Sequence, residues 1–204
     1  MSCPYAIGAA AAYVKSFHPD CSPSAIKSAL VTTGNILSLG LFYVQMNMVH
    51  ECNRNPAAEL AYGAGHIDPV KAVHPGLVYV ALKDDYIKFL CNIAPIDLNY
   101  PSMAVHFPLN STAFVINFQR RVTNVGSANS TYKASFISDS KTKINVKPEV
   151  LSFTSLHQEK SFVVTVSGNG VPQDSMASAS LVWSDGKHSV RSPIVVYAFS
   201  SDIE

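Results

Sequence analysis

The chain has 204 residues, 48% of them hydrophobic and only 14% charged, which is enough apolar content for a packed core and too much for a disordered chain. Its net charge is +1 and no Lys/Arg run is longer than Arg120-Arg121, which argues against the basic face of a nucleic-acid reader. No apolar window reaches the roughly 18 residues of a membrane helix; the longest stretch, Ile36 to Val49, is interrupted by Ser38, Gln45 and Asn47.

Residues 3–14 are small and apolar, like a signal-peptide core, but no basic segment precedes them and Pro4 and Gly8 fit poorly. No signal peptide is expected in the chain as written. Residues 5–17 are Ala-rich and apolar on nearly every face, the pattern of a buried helix. Ser22-Pro23 reads as a helix start, with a serine cap followed by proline at the first helical position. Ile26, Ala29, Leu30 and Thr33 then recur at helical spacing, with Lys27 on the outer face. Residues 61–79, AYGAGHIDPVKAVHPGLVY, are punctuated by Gly63, Gly65, Gly76, Pro69 and Pro75 and read as tight turns. A third, shorter helix is predicted from Asp84-Asp85, carrying Tyr86, Ile87, Phe89 and Leu90.

From about residue 97 the hydrophobic period changes to two. Phe114, Ile116 and Phe118 alternate with other residues, as do Tyr132, Ala134 and Phe136, and Phe162, Val164 and Val166. Segments 143–147 and 178–183 repeat the pattern, and Asp185-Gly186 between strand-like runs predicts a two-residue hairpin turn. About seven short strands in this half predict an antiparallel β-sandwich. Trp183, the only tryptophan, is assigned to the core.

The four cysteines, Cys3, Cys21, Cys52 and Cys91, have no C-x-x-C or Cys/His spacing, so no zinc site or other metal site is expected. Free thiols and disulfide halves both fit them. Two N-x-S/T sequons, at Asn110 and Asn129, are candidate N-glycosylation sites. No cofactor-binding motif is assigned.

The opening segment, MSCPYAIGAAAAYVKSFHPDCSPSAIKSALVTT, resembles the region around the nucleophile in plant subtilisin-like serine proteases of the cucumisin type. There the pattern is G-T-S-M-S-C-P-H, a small-residue helix, and H-P-x-W-S-P-A-A-I-K-S-A-L-M-T-T. AYGAGHIDPVKAVHPGLVY, DDYIKFLC, DLNYPSMAV (97–105), RRVTNVG (120–126) and SLVWSDGKHSVRSPIVV (180–196) continue the resemblance in order. It implies acyl transfer by a Ser-His-Asp triad with an oxyanion-hole Asn, protein or peptide substrates, and an extracellular (apoplastic) location. It also implies an overall α+β fold: residues 1–96 as the helical remnant of a subtilisin-like α/β domain, then residues 97–204 as a fibronectin type III-like sandwich packing on it.

The resemblance places the nucleophile immediately before Met1, and the Asp, His and Asn further upstream. No catalytic residue is therefore assigned within the chain. Ser2 matches the family's second serine; two positions along a helix turn a side chain by about 200°, so it would face away from the nucleophile's place. His18 and His66 fall in family motifs as structural residues, and His50, His74, His106, His157 and His188 are assigned no role.

Three departures stand out. Residues 34–53 are longer and more apolar than the family's linker, and read as retained intron sequence or a gene-model error, with a lineage-specific insertion as the alternative. Only Asn92 to Ile96 separate Cys91 from the DLNYP motif, where the family has a longer loop with a second cysteine. Cys21 stands where the family usually has tryptophan. Two other readings compete with a protease piece that is inactive alone: a free sandwich acting as an interaction module, and a truncated product without function. The sequence is silent on substrate preference and oligomeric state.

Overall fold

The computed structural model describes residues 4–35, 63–91, 95–106, 113–138, 142–168 and 175–198. Ser2, Cys3, Cys52, Asn110 and most of the atypical segment 34–53 lie outside the described residues.

The first half is helical. Helix α1 spans Pro4–Phe17 and α2 spans Pro23–Thr32. The predicted start of α2 is borne out: Ser22 is extended, and its Oγ accepts the Ala25 N–H at 3.1 Å. A short helix, α3 (Pro69–Ala72), is capped by Asp68, whose carboxylate accepts the Lys71 N–H. The predicted third helix is α4 (Lys83–Leu90), where Asp85 reaches back to the Leu82 N–H at 2.8 Å. Val14, Ala25, Ile26, Ala29, Ala72, Val73 and Val78 form one apolar cluster joining α1, α2 and α3.

Helix α1 differs from the buried helix expected of it. Only Ala10 and Val14 are buried, while Tyr5 is 85% exposed and Ile7, Tyr13 and Phe17 are also exposed. Among the described residues α2 and α3 cover one side of α1, and nothing covers the others.

The second half is a two-sheet sandwich. One sheet has the order β1-β3-β7-β5, from β1 (Leu77–Val78), β3 (Phe114–Asn124), β7 (Glu159–Gly168) and β5 (Thr142–Lys147). The other is β2-β9-β8-β4-β6, from β2 (Met103–His106), β9 (Ser189–Ala198), β8 (Ser175–Ser184), β4 (Ser130–Ser138) and β6 (Val150–Phe153). Every pairing is antiparallel except β2 with β9, which run parallel. Residues ahead of position 97 also enter the sandwich, because β1 pairs with the far end of β3 through Leu77↔Asn124 and Val78↔Thr123.

The period of two becomes a core. In β3, Phe114, Phe118 and Val122 point inward with Arg120 among them, while Val115, Asn117 and Gln119 face out. Phe162, Val164 and Val166 fill the facing positions of β7. Trp183 is fully buried, with its ring 5.2 Å from that of Phe162 in an edge-to-face arrangement. Phe136, at the end of the β4 pattern, is partly exposed instead.

The β8–β9 connection also departs from expectation. Ser184↔Ser189 is its last pair, so four residues, Asp185 to His188, form the loop. The Asp185 carboxylate accepts the N–H groups of Lys187 and His188 and faces His188 Nδ1 at 2.9 Å, with Gly186 at φ +87°. Those bonds satisfy the loop backbone locally and favour the wider turn over a two-residue one.

Candidate functional site: a buried polar junction

The segment between β1 and α4 is where the helices meet the sandwich. Tyr79 is fully buried and its ring lies 6.3 Å from Phe162, inside the sandwich core. Its backbone N–H donates to Ser28 Oγ on α2 at 2.8 Å. Its hydroxyl lies 2.8 Å from Ser192 Oγ on β9. Burial, partly offset by the Ser192 hydrogen bond and the charge of Arg120, pushes the Tyr79 phenol up to about 12, so it stays protonated and able to donate. Two residues on, the Ala81 N–H donates to Ser24 Oγ, also on α2. Helix α2 thus presents Ser24 and Ser28, one turn apart, to two backbone N–H groups that would otherwise be buried without partners.

A second knot involves Asn99 of the DLNYP stretch. Its Nδ2 donates to the carbonyls of Val80 and Arg121, and its Oδ1 accepts the Arg121 N–H, all at 2.9 Å. This fits an amide and no other side chain of that size, since two donors and one acceptor are needed in one plane. Beside it the buried Arg120 donates to the carbonyls of Tyr100, Ile96 and Gln119. Burial, opposed by Tyr79 and Asp97, lowers the Arg120 guanidinium to about 10, so it remains charged at neutral pH. Lys27 of α2 sits over the Tyr100 ring at 5.2 Å. Arg191, next to Ser192 on β9, donates to Ala64 O in the glycine-rich turn at 3.3 Å.

A third knot holds the Gly76 turn. Val125 N–H donates to Gly76 O, and Asn124 closes the 124–127 turn through Ser127 O and the Gly126 N–H. Gly76 has φ +80°, and a Cβ there would lie 2.7 Å from both Tyr132 OH and His188 Cβ. Glycine is therefore required on both counts.

None of these groups forms a nucleophile–base pair. His18 Nε2 lies 2.7 Å from Val73 O, and His66 pairs through its backbone with Asn35. His188 is held by Asp185, and among the described residues no hydroxyl or thiol hydrogen-bonds to its ring. No group of three or more His, Cys, Asp or Glu residues among them could hold a metal ion. Cys21 and Cys91 are free thiols. Asn129 is exposed in the turn before β4, and Asn110 lies outside the described residues. The junction residues Ser28, Tyr79, Asn99 and Ser192 were not singled out by sequence reasoning. Arg120 could have been, because it occupies an inward phase of the β3 alternation.

The comparisons fit this geometry. The fibronectin type-III domain family matches residues 97–196. Subtilisin-like protease SBT4.9 of Arabidopsis thaliana is 43% identical over 98% of this chain, SBT4.11 of the same plant is 44% identical over 97%, and SBT4.3 is 46% identical over 97%. Over nearly its whole length this chain is similar to plant subtilisin-like proteases. It spans 28–30% of the length of these relatives. Among solved structures, the VesB protease of Vibrio cholerae aligns with 57% of this chain and 35% of its own, at 14% identity and a TM-score of 0.33; no function follows from a likeness of that size.

The geometry of the junction and of the Asp185 loop yields two predictions. Asn99→Ala leaves two carbonyls and one N–H without their partner, and urea unfolding is expected to show a loss of about 2–4 kcal/mol. Asp185 is pulled two ways: burial raises its pKa, but the hydrogen bonds from His188 and Lys187 outweigh burial and hold the carboxyl at about 2. A depressed folded-state pKa stabilises the fold above the unfolded value and is lost as pH falls through the folded one. Stability should therefore drop between about pH 4 and pH 2 by about 1–2 kcal/mol more in the wild type than in Asp185→Asn, as measured by thermal unfolding across that range.

Proposed function

We propose that this chain is the C-terminal part of a secreted subtilisin-like serine endopeptidase. In this reading residues 1–96 belong to the α/β catalytic domain and residues 97–204 form a fibronectin type III-like support packed on it. The observation that carries the reading is 41–46% identity to subtilisin-like proteases over 97–100% of the chain, against about 30% of their length. The apolar face of α1 that no described residue covers supports it, since Tyr5, Ile7, Tyr13 and Phe17 are what a helix interior to a larger domain would present. So does the polar junction, which fixes α2 to β9 and would carry the sandwich's rigidity into the helical part.

The chemistry of the whole protease would be hydrolysis of protein or peptide bonds through an acyl-enzyme. No residue of this chain is assigned to that step, and the 204-residue chain alone is inactive in this reading. A fluorophosphonate probe, which labels only an activated serine, is expected to leave it unlabelled under conditions that label an intact relative. Labelling that Ser2→Ala removes would contradict the assignment.

The reading also places the chain in the extracellular space, where the Asn129 sequon would be modified. Asn129 lies on an exposed turn that leaves room for a glycan. Chain expressed through a plant secretory pathway should migrate faster after glycosidase treatment, and the part of that shift lost in Asn129→Gln measures this site. A shift unchanged by the substitution would contradict it.

A further inference from the structure

A cleft of about 360 Å³ opens on the outer face of the β3–β7–β5 sheet, within the size range of small-ligand sites. Its floor follows the strand register. Gln119, Val163 and Lys147 form one row across three strands, and Arg121 and Ser161 form part of the next. Asp85 and Lys88 of α4 make one wall, and Asp97 to Asn99 make another.

The charges of this cleft are unequal, and its carboxylates are already engaged. Four cationic residues line it, Lys88, Arg120, Arg121 and Lys147, against two carboxylates, Asp85 and Asp97. Asp85 accepts the Leu82 N–H, and Asp97 accepts the Gln119 N–H. Arg120 is spent on three backbone carbonyls. Arg121 is held through Nε to Glu159 at 3.3 Å, but its Nη2 is buried without a hydrogen-bond partner, because the 3.7 Å approach to Asp85 is too long for one. Among the described residues neither Lys88 nor Lys147 has a carboxylate within ion-pair distance. The cleft therefore offers two uncommitted ammonium groups and one unsatisfied guanidinium N–H, with apolar surface from Leu98 and Val163 beside them.

We propose that this cleft binds a carboxylate-bearing ligand. A carboxylate supplies what the site lacks: acceptor oxygens for the Arg121 Nη2 and negative charge for Lys88 and Lys147. Leu98 and Val163 suit the short aliphatic stem that carries such a group. Two sources share this chemistry, an acidic segment of a polypeptide and a small free polycarboxylic acid. The proposal stands apart from the proteolytic reading: the cleft borders the junction at Asn99 and Arg120, but the side chains offered to the ligand, Lys88, Arg121 and Lys147, make none of the junction's hydrogen bonds, and no catalytic activity is required.

The test is a titration of the 15N-labelled 204-residue chain, followed through its backbone amide resonances at low ionic strength. The probes are an acetylated, amidated tetraglutamate peptide, its tetraglutamine counterpart, and citrate. A carboxylate probe should shift the amides around Gln119, Arg121, Lys147 and Val163, and tetraglutamine should not. Lys88→Gln/Lys147→Gln, both exposed positions, should keep the folded spectrum and bind about tenfold more weakly, with added salt reducing wild-type binding in the same direction. Tighter binding of tetraglutamate than citrate assigns the acidic segment as the source, and the reverse order assigns the small acid. Amides that do not move with either carboxylate probe, or a double variant that binds like the wild type, would overturn the proposal.

Discussion

Tyr79 is the point on which the two halves of this chain depend. Its ring belongs to the sandwich core, its backbone is held by α2, and its hydroxyl is held by β9. All three groups are fully buried, so each polar atom needs its partner. A buried donor or acceptor left alone costs about 1–3 kcal/mol. Helix and sandwich therefore stabilise each other through a residue that neither can satisfy alone.

The neighbouring contacts act in the same direction. Asn99 stitches the outgoing chain at Val80 to β3, and Arg120 fills the inner side of β3 while drawing in the carbonyls of residues 96 and 100. Arg191 reaches the glycine-rich turn from the residue beside Ser192. Such buried polar contacts add little net energy when complete. Their effect is geometric: few other arrangements of helices and sheets would satisfy all of them at once.

Much of the architecture was readable from local pattern. The Ser22-Pro23 cap needs only its own residues, and so does the alternation of β3 and β7, where Phe118 and Phe162 take the inward phase. What could not be read depends on distance along the chain. Tyr79 and Ser192 are separated by 113 positions, and no spacing rule pairs them. The parallel β2–β9 pairing has the same cause, since edge strands find partners through the fold and not through a local turn. The Asp185 loop was misjudged because the residue pair signals a turn but not how many N–H groups its carboxylate will collect. The apolar pattern of α1 signals burial, and the described residues cover only one side of it. Arg120 was read only as part of a two-residue basic run, although its phase in β3 matches Phe118 and Val122.

The cover is uneven among the described residues, and the proteins this chain is similar to are more than three times as long. Among the described residues the sandwich has its own core, and the helices share theirs with one another, with Val78 of β1 and with Val125. Coupling through Tyr79 is the account's central claim, and native-state hydrogen exchange tests it most directly. The amides of α2 and those of β9 should exchange through one shared opening, with the same dependence on urea and the same free energy. If α2 exchanges through a separate, lower-energy opening while β9 stays protected, the helices and sandwich are not coupled and the claim is wrong.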